Sequence, residues 1–128
     1  MSEKTVSNGE GHFTLLASTD VPGRAFKAGE TIFREGDPAT ELYVIQAGTV
    51  HITLGNRLLI TLGAHGIFGE MALIDGQPRS ATATAVTDVT LIPVSERQFL
   101  FLVRHTPFFA LQVMRVLASR LRTTNISL

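Results

Sequence analysis

The stretch Phe68-Gly69-Glu70-Met71-Ala72-Leu73-Ile74, followed after a polar break by Pro78-Arg79-Ser80-Ala81-Thr82, decides how the rest of the chain is read. It sets a carboxylate at the mouth of a short apolar helix and a guanidinium just beyond the end of that helix. Gly69 has no Cβ, so the backbone there can bend sharply and come close to a ligand. The run from Met71 to Ile74 is too short for an independent helix but suffices for one turn. The N–H groups at the start of such a turn lack partners and favour anions. Arg79 offers a planar fork of donors matched to two phosphate oxygens. An ionised Glu70 only accepts hydrogen bonds, so it suits a pair of hydroxyls rather than a phosphate. Ser80 adds a hydroxyl donor. Either charged residue alone reads as an incidental surface group. Their order around a glycine, a helix and a turn points to binding rather than catalysis, of a ligand carrying a ribose-like diol and one phosphate.

On both sides of this stretch the chain alternates β-favouring segments with turn signals. Segments at 24–27, 31–34, 41–46, 49–54 and 57–62 end at glycine-containing turns, and segments at 80–85 and 88–94 follow. Gly55-Asn56 makes a good two-residue hairpin turn, because both residues tolerate positive φ. Seven or eight short strands about 8–12 residues apart read as a sandwich or barrel, here a jelly roll. Ala81, Ala83 and Ala85 alternate with Thr82 and Thr84, a strand whose small inward residues leave room for a ligand. The character changes at Ser95, an N-cap before Glu96, Arg97 and Gln98, with Phe99, Leu102 and Val103 spaced for a helix. Thr106-Pro107 breaks that helix, and Pro107 opens the next. The second helix carries Leu111, Met114, Leu117, Ala118 and Leu121 at spacings of three and four, with Arg115, Arg120 and Arg122 elsewhere. Such a stripe can pack on its own barrel, dimerise or transmit a signal. The N-terminal residues 1–12 are polar and expected to be mobile. Residues 13–128 form a single domain, and the apolar run 12–17 is expected to add a short strand or helix against it.

With these residues in view, the chain resembles the cyclic nucleotide-binding domain family. The family includes the bacterial catabolite activator regulators, the regulatory subunits of protein kinase A and the cyclic-nucleotide-gated channels. Phe68-Gly69-Glu70, three apolar residues, a short gap and Pro78-Arg79-Ser80-Ala81-Thr82 are similar to its phosphate-binding cassette. Gly29-Glu30-Thr31-Ile32-Phe33 and Glu35-Gly36-Asp37-Pro38 resemble its first turns, and Leu42-Tyr43-Val44-Ile45 with Gly48-Thr49-Val50 its central strands. The resemblance covers residues 21–124. It implies a mainly β fold with flanking α, an eight-stranded jelly-roll barrel with C-terminal helices. It also implies that Glu70 holds the ribose 2′-hydroxyl and Arg79 the cyclic phosphate. Backbone groups of Gly69, Met71, Ala72 and Ala81, with the Ser80 hydroxyl, complete the cradle. Where the family has Gly-Asp before the cassette, this chain has His65-Gly66, which implies a differently shaped turn and a histidine able to approach the pocket. The resemblance further implies cAMP, and secondarily cGMP, as ligand, no other cofactor, and a regulatory output through a protein partner or a homodimer along the C-terminal helix. A ligand-free scaffold of the same fold, or a piece of a larger channel, kinase or transcription regulator, stays open as an alternative.

Composition bounds the other readings. A length of 128 residues gives one domain with a real core. Hydrophobic residues at 45% and charged ones at 17% describe a folded chain. Lys+Arg and Asp+Glu balance at 11 each, so no overall basic field gathers nucleic acid, and no specific DNA binding is expected. The absence of cysteine removes disulfides and thiolate metal sites and fits a cytoplasmic protein. No apolar run approaches the roughly 20 residues of a membrane span, so no membrane partner is expected. The histidines at 12, 51, 65 and 105 are scattered without metal spacing, so no metal is expected. No nucleophile elbow or phosphate-binding fingerprint supports an enzyme.

Overall fold

The structure, a computed structural model, describes residues 23–123. Eight strands and three helices follow in the order β1 (Arg24–Phe26), β2 (Thr31–Phe33), β3 (Glu41–Ala47), β4 (Val50–Leu54), β5 (Arg57–Leu62), β6 (Ile67–Phe68), α1 (Glu70–Asp75), β7 (Thr82–Ala85), β8 (Val89–Ser95), α2 (Glu96–His105) and α3 (Pro107–Thr123). Two four-stranded antiparallel sheets, ordered β1-β8-β3-β6 and β2-β7-β4-β5, face each other as the jelly roll expected from the strand spacing. The strand the sequence does not single out is β6, two residues long, which pairs Ile67 and Phe68 with Val44 and Tyr43. The apolar run 12–17 lies outside the described residues.

β3 and β8 are buried on both faces, and their period-two alternation divides the interior in two. Leu42, Val44, Ile92 and Val94 point to the helices, where they pack with Ile67, Phe109, Val113 and Val116. Tyr43, Ile45, Val89 and Leu91 point between the sheets, against Val50, Leu62, Phe68, Ala83 and Ala85. The small residues of β7 therefore serve two purposes. Ala83 and Ala85 fill the inter-sheet core, and of the three alanines only Ala81, just before the strand, lines a pocket. Pro93 occupies a central strand, where a missing N–H is usually costly. Here β1 pairs with β8 only from Val89 to Leu91, so Pro93 lies beyond its reach and no bond to β1 is lost.

The helical layer begins where Ser95 caps α2. Its hydroxyl accepts from the Gln98 N–H, and the Gln98 side chain accepts in return from the Ser95 N–H. On α3 the packing face is Phe109, Val113 and Val116, with Leu117 at its edge. Of the stripe singled out in the sequence, Leu111, Met114 and Leu121 are exposed instead. The helix carries two apolar stripes, and periodicity alone does not say which one a barrel will cover. Among the described residues no single helix is long and apolar enough to cross a membrane.

Turn geometry fixes the register. At the β4–β5 hairpin only Gly55 takes a positive φ, +60°, so Asn56 does not use the left-handed freedom its type allows. Gly48, between β3 and β4, has φ +102°, and a Cβ there would lie 2.4 Å from the Asp88 carbonyl oxygen and 2.9 Å from Val89 Cα. Backbone atoms cannot move aside as a side chain can. Gly48→Ala should cost at least about 1–3 kcal/mol, the range for a non-glycine residue held in a sparsely populated region. Gly29→Ala, at φ +90° with nothing within 4 Å, should cost less. Urea denaturation of both variants reads the difference, and equal losses would remove the Asp88 contact from the explanation.

Candidate functional site

The cassette is hung between the sheets and the helical layer. β6 ends at Phe68, Gly69 turns the chain at φ +82°, and α1 starts at once with Glu70. The loop that follows α1 is fixed by a clamp on Arg79. The Arg79 carbonyl accepts from the Gly36 N–H at 2.8 Å, and the Arg79 N–H donates to the Asp37 carbonyl at 2.9 Å. Asp37 is itself held, because its carboxylate accepts from the Arg34 N–H. The Glu35-Gly36-Asp37-Pro38 turn thus sets where Arg79 enters the pocket, although it lies some forty residues away in sequence.

The Arg79 side chain is 6% exposed and lies in an unusual seat. Nη1 donates to the Gly69 carbonyl at 3.1 Å and Nη2 to the Glu41 carbonyl at 2.7 Å. The guanidinium lies 4.0 Å from the Phe33 ring centroid and 5.7 Å from that of Tyr43. Phe33, Tyr43 and Phe68 form one aromatic cluster, with centroids 5.4–6.2 Å apart. Tyr43 is oriented by Glu41, whose Oε1 accepts both its hydroxyl and Arg24 Nη1. Burial lowers the Arg79 pKa below the ordinary guanidinium value, partly offset by Tyr43 and the carboxylates of Glu41, Asp37 and Glu70. No carboxylate among the described residues takes its charge directly, and Nε is buried with no hydrogen-bond partner. At Gly69 a Cβ would stand 2.7 Å from Arg79 Nη1 and would have to shift the guanidinium, and the φ of +82° would be strained for any side chain.

Glu70, 3% exposed, is treated differently. Arg120, from the last turns of α3, puts Nη1 2.8 Å from both carboxylate oxygens, and its Nη2 donates to the Ile67 carbonyl. A carboxylate has about four lone-pair sites, so this contact leaves Glu70 able to accept more. The pocket between these groups encloses about 150 Å³. Its lining brings together Gly69, Glu70, Met71, Arg79, Ser80 and Ala81. Ala72 is the third residue of α1.

The sequence reading missed Arg120 and the apolar walls Phe33, Ile52, Leu59 and Ile60. A signal for Arg120 was present. It continues the buried face of α3 at Phe109, Val113 and Val116 by spacings of four, three and four. An arginine on a buried stripe needs a carboxylate partner. His65, where the family's turn differs, does not line the pocket. Its φ is +73°, and its N–H donates to the Ile45 carbonyl while the Gly66 carbonyl accepts from the Ile45 N–H.

Residues 23–106 match the cyclic nucleotide-binding domain profile, and the chain belongs to that family. It is 36% identical over 110 residues to the CRP-like cAMP-activated global transcriptional regulator of Mycobacterium tuberculosis, covering 80% of this chain and 48% of the relative. The crystal structure of Thermus thermophilus catabolite activator protein superposes with TM-score 0.75 at 35% identity, over 87% of this chain and 54% of that one. The cGMP-bound EAL enzyme Bd1971 gives TM-score 0.63 at 39% identity, over 78% of this chain and 28% of that one. The chain spans about half the length of the curated regulators it matches.

The ion pair between Glu70 and Arg120 should matter to the fold as well as to the site. Removing one partner of a buried pair leaves the other charge uncompensated, at about 3–5 kcal/mol. Arg120 is 18% exposed, so Arg120→Met should fall near the lower end of that range. In urea denaturation the double variant Arg120→Met/Glu70→Gln should recover part of the loss, since the second change removes the stranded charge. Additive losses would show that the two side chains do not act as a pair.

Proposed function

We propose that this chain is a regulatory module that binds a 3′,5′-cyclic nucleotide, cAMP in preference to cGMP, and passes the binding event to a protein surface through α3. One observation carries the reading: Arg79 is buried on an aromatic cluster with only carbonyl partners and an unsatisfied Nε. A buried cation so placed is expensive unless an anion completes it. A cyclic phosphate supplies one negative charge and acceptor oxygens for the guanidinium fork, with the Ser80 hydroxyl beside it. The free lone pairs of Glu70 accept the ribose 2′-hydroxyl. The polar groups of the pocket are then used, and Ile52, Leu59, Ile60 and Met71 are left to cover the base. The names of two relatives, the cAMP-activated regulator of Mycobacterium tuberculosis and the cyclic AMP receptor protein of Thermus thermophilus, support cAMP.

Transmission follows from the same contacts. Arg120 ties Glu70 to α3, so a ligand hydroxyl on Glu70 acts on the group that fixes this helix. The outer face of α3 carries Leu111, Met114, Ala118 and Leu121, exposed and spaced three, four and three. That is the a and d spacing a two-stranded coiled coil uses. In a parallel pairing, Arg115 and Arg122 meet Ala110 and Leu117 of the second copy. In an antiparallel one, arginine meets arginine. A parallel homodimer is therefore the arrangement this face favours. Met114→Glu should convert it to monomer in sedimentation velocity, and a parent chain that sediments as monomer at high concentration excludes it.

Calorimetric titration tests the ligand assignment. cAMP should bind one site per chain and, at about 100 times its Kd, stabilise the fold by roughly 2.7 kcal/mol. Arg79→Ala should weaken binding by about 2–5 kcal/mol, or about 30-fold and more. The 2′-deoxy analogue should bind about tenfold to hundredfold less tightly than cAMP, as for a hydrogen bond to a charged group. No melting shift with either millimolar cAMP or cGMP would favour a ligand-free scaffold. A loss below threefold in Arg79→Ala would remove that residue from the phosphate seat.

A further inference from the structure

The bend between the last two helices bears an apolar surface that neither the barrel nor the cassette uses. α2 and α3 meet with a bend of 117°. The inner side of the bend is settled: Phe99 and Phe109 pack edge to face at 5.5 Å, and Leu102 and Val103 lie on the core. On the outer side Leu100, Phe101 and Phe108 are 57%, 60% and 58% exposed. Their exposure is thus not a consequence of a poorly packed hairpin. Arg97 and Arg104 stand one helical turn from Phe101, on either side of it, and Arg115 reaches over Phe108. Residues 96–123 hold five arginines against a single carboxylate, Glu96, while residues 23–95 hold seven carboxylates against five basic side chains. The neutral total conceals a basic helical layer on a mildly acidic sandwich.

We infer that this corner docks an acidic protein partner, one presenting an apolar groove rimmed by Asp and Glu. The inference rests on the reading of the chain as a module whose output passes to a protein. Exposed phenylalanines ringed by arginine have the composition of an interface centre, and a convex corner must enter a groove rather than receive one. A second copy of the chain does not fit here, because pairing the corner with itself sets arginine against arginine. An anionic bilayer fits less well than a protein. The His105 ring lies tilted against Phe101 with centroids 4.3 Å apart, and the Arg115 guanidinium lies 5.6 Å over the Phe108 ring. Sinking Phe108 into hydrocarbon would drag the Arg115 guanidinium with it or strip it away, whereas a protein groove with acidic walls keeps that contact.

The test is site-specific photo-cross-linking with the full chain, carrying benzoylphenylalanine at position 100, in cells of the source organism. The expected product is a cross-link to another protein through a peptide containing Asp or Glu. Adding Arg104→Glu should cut its yield about tenfold or more, the effect of roughly 1.4 kcal/mol. Changing the partner's cross-linked carboxylate to lysine should restore it. Cross-links to lipid, to a second copy or to residues 1–22 of the same chain would each overturn the inference, as would no cross-link or one indifferent to both charge reversals. Thermal unfolding of the Arg104→Glu chain, within a few degrees of the parent, excludes simple misfolding. Titrating the same chains with cAMP separates the two readings. A preserved cross-link without nucleotide binding defeats the proposed function alone, and nucleotide binding without a cross-link defeats the docking surface alone.

Discussion

The site depends on one constraint: Arg79 is buried, and among the described residues no carboxylate touches its guanidinium. The surrounding structure serves to make that tolerable. The aromatic cluster of Phe33, Tyr43 and Phe68 gives the guanidinium a polarisable floor. The carbonyls of Gly69 and Glu41 take two of its donors, and the clamp to Gly36 and Asp37 fixes its backbone. None of these neutralises it. The seat holds the guanidinium in place without pairing its charge, which on the proposed function suits it to an anionic ligand.

Glu70 shows the opposite treatment in the same pocket. Its charge is answered by Arg120, so the carboxylate is held in place before any ligand arrives. Two charged residues of the cassette are thus held by different means, one by carbonyls and aromatic rings and one by an arginine. That last pairing gives the site its reach. A ligand contact to Glu70 and the position of α3 cannot be energetically independent, and coupling of that kind is reciprocal. On the proposed function, whatever stabilises α3 in one arrangement would change ligand affinity by the factor with which the ligand changes that arrangement.

Much of this was legible in the sequence because local rules and the fold agree. Ser95 and Gln98 announce the start of α2, Pro107 opens α3, and the glycine turns mark the strand ends. Glu70 and Arg79 could be singled out because their spacing carries chemistry, and the structure brings both to one pocket. Three features were harder to read. β6 is two residues long and draws its stability from β3, so it has no period of its own. On α3 two apolar stripes compete, and only the barrel decides between Val113 with Val116 and Leu111 with Met114. Arg120 and the walls from β4 and β5 reach the pocket through tertiary folding, from segments whose local pattern says only helix or strand.

The residues between the two charged groups of the cassette tell a different story. Ile74, Asp75, Gly76, Gln77 and Pro78 are all exposed, and a bond from the Gln77 N–H to the Asp75 carboxylate is purely local. Gly76, at φ +69°, has nothing within 4 Å of where a Cβ would stand. Both ends of this segment are pinned by other parts of the chain, the first by Arg120 and the second by the turn at Gly36 and Asp37. Its length is consequently free to drift. Doubling a flexible loop costs only about 0.6 kcal/mol in closure entropy, and no buried contact is lost with it. Insertions here over evolutionary time, or tags placed by design, would ornament the rim of the pocket while the distance between carboxylate and guanidinium stayed the same.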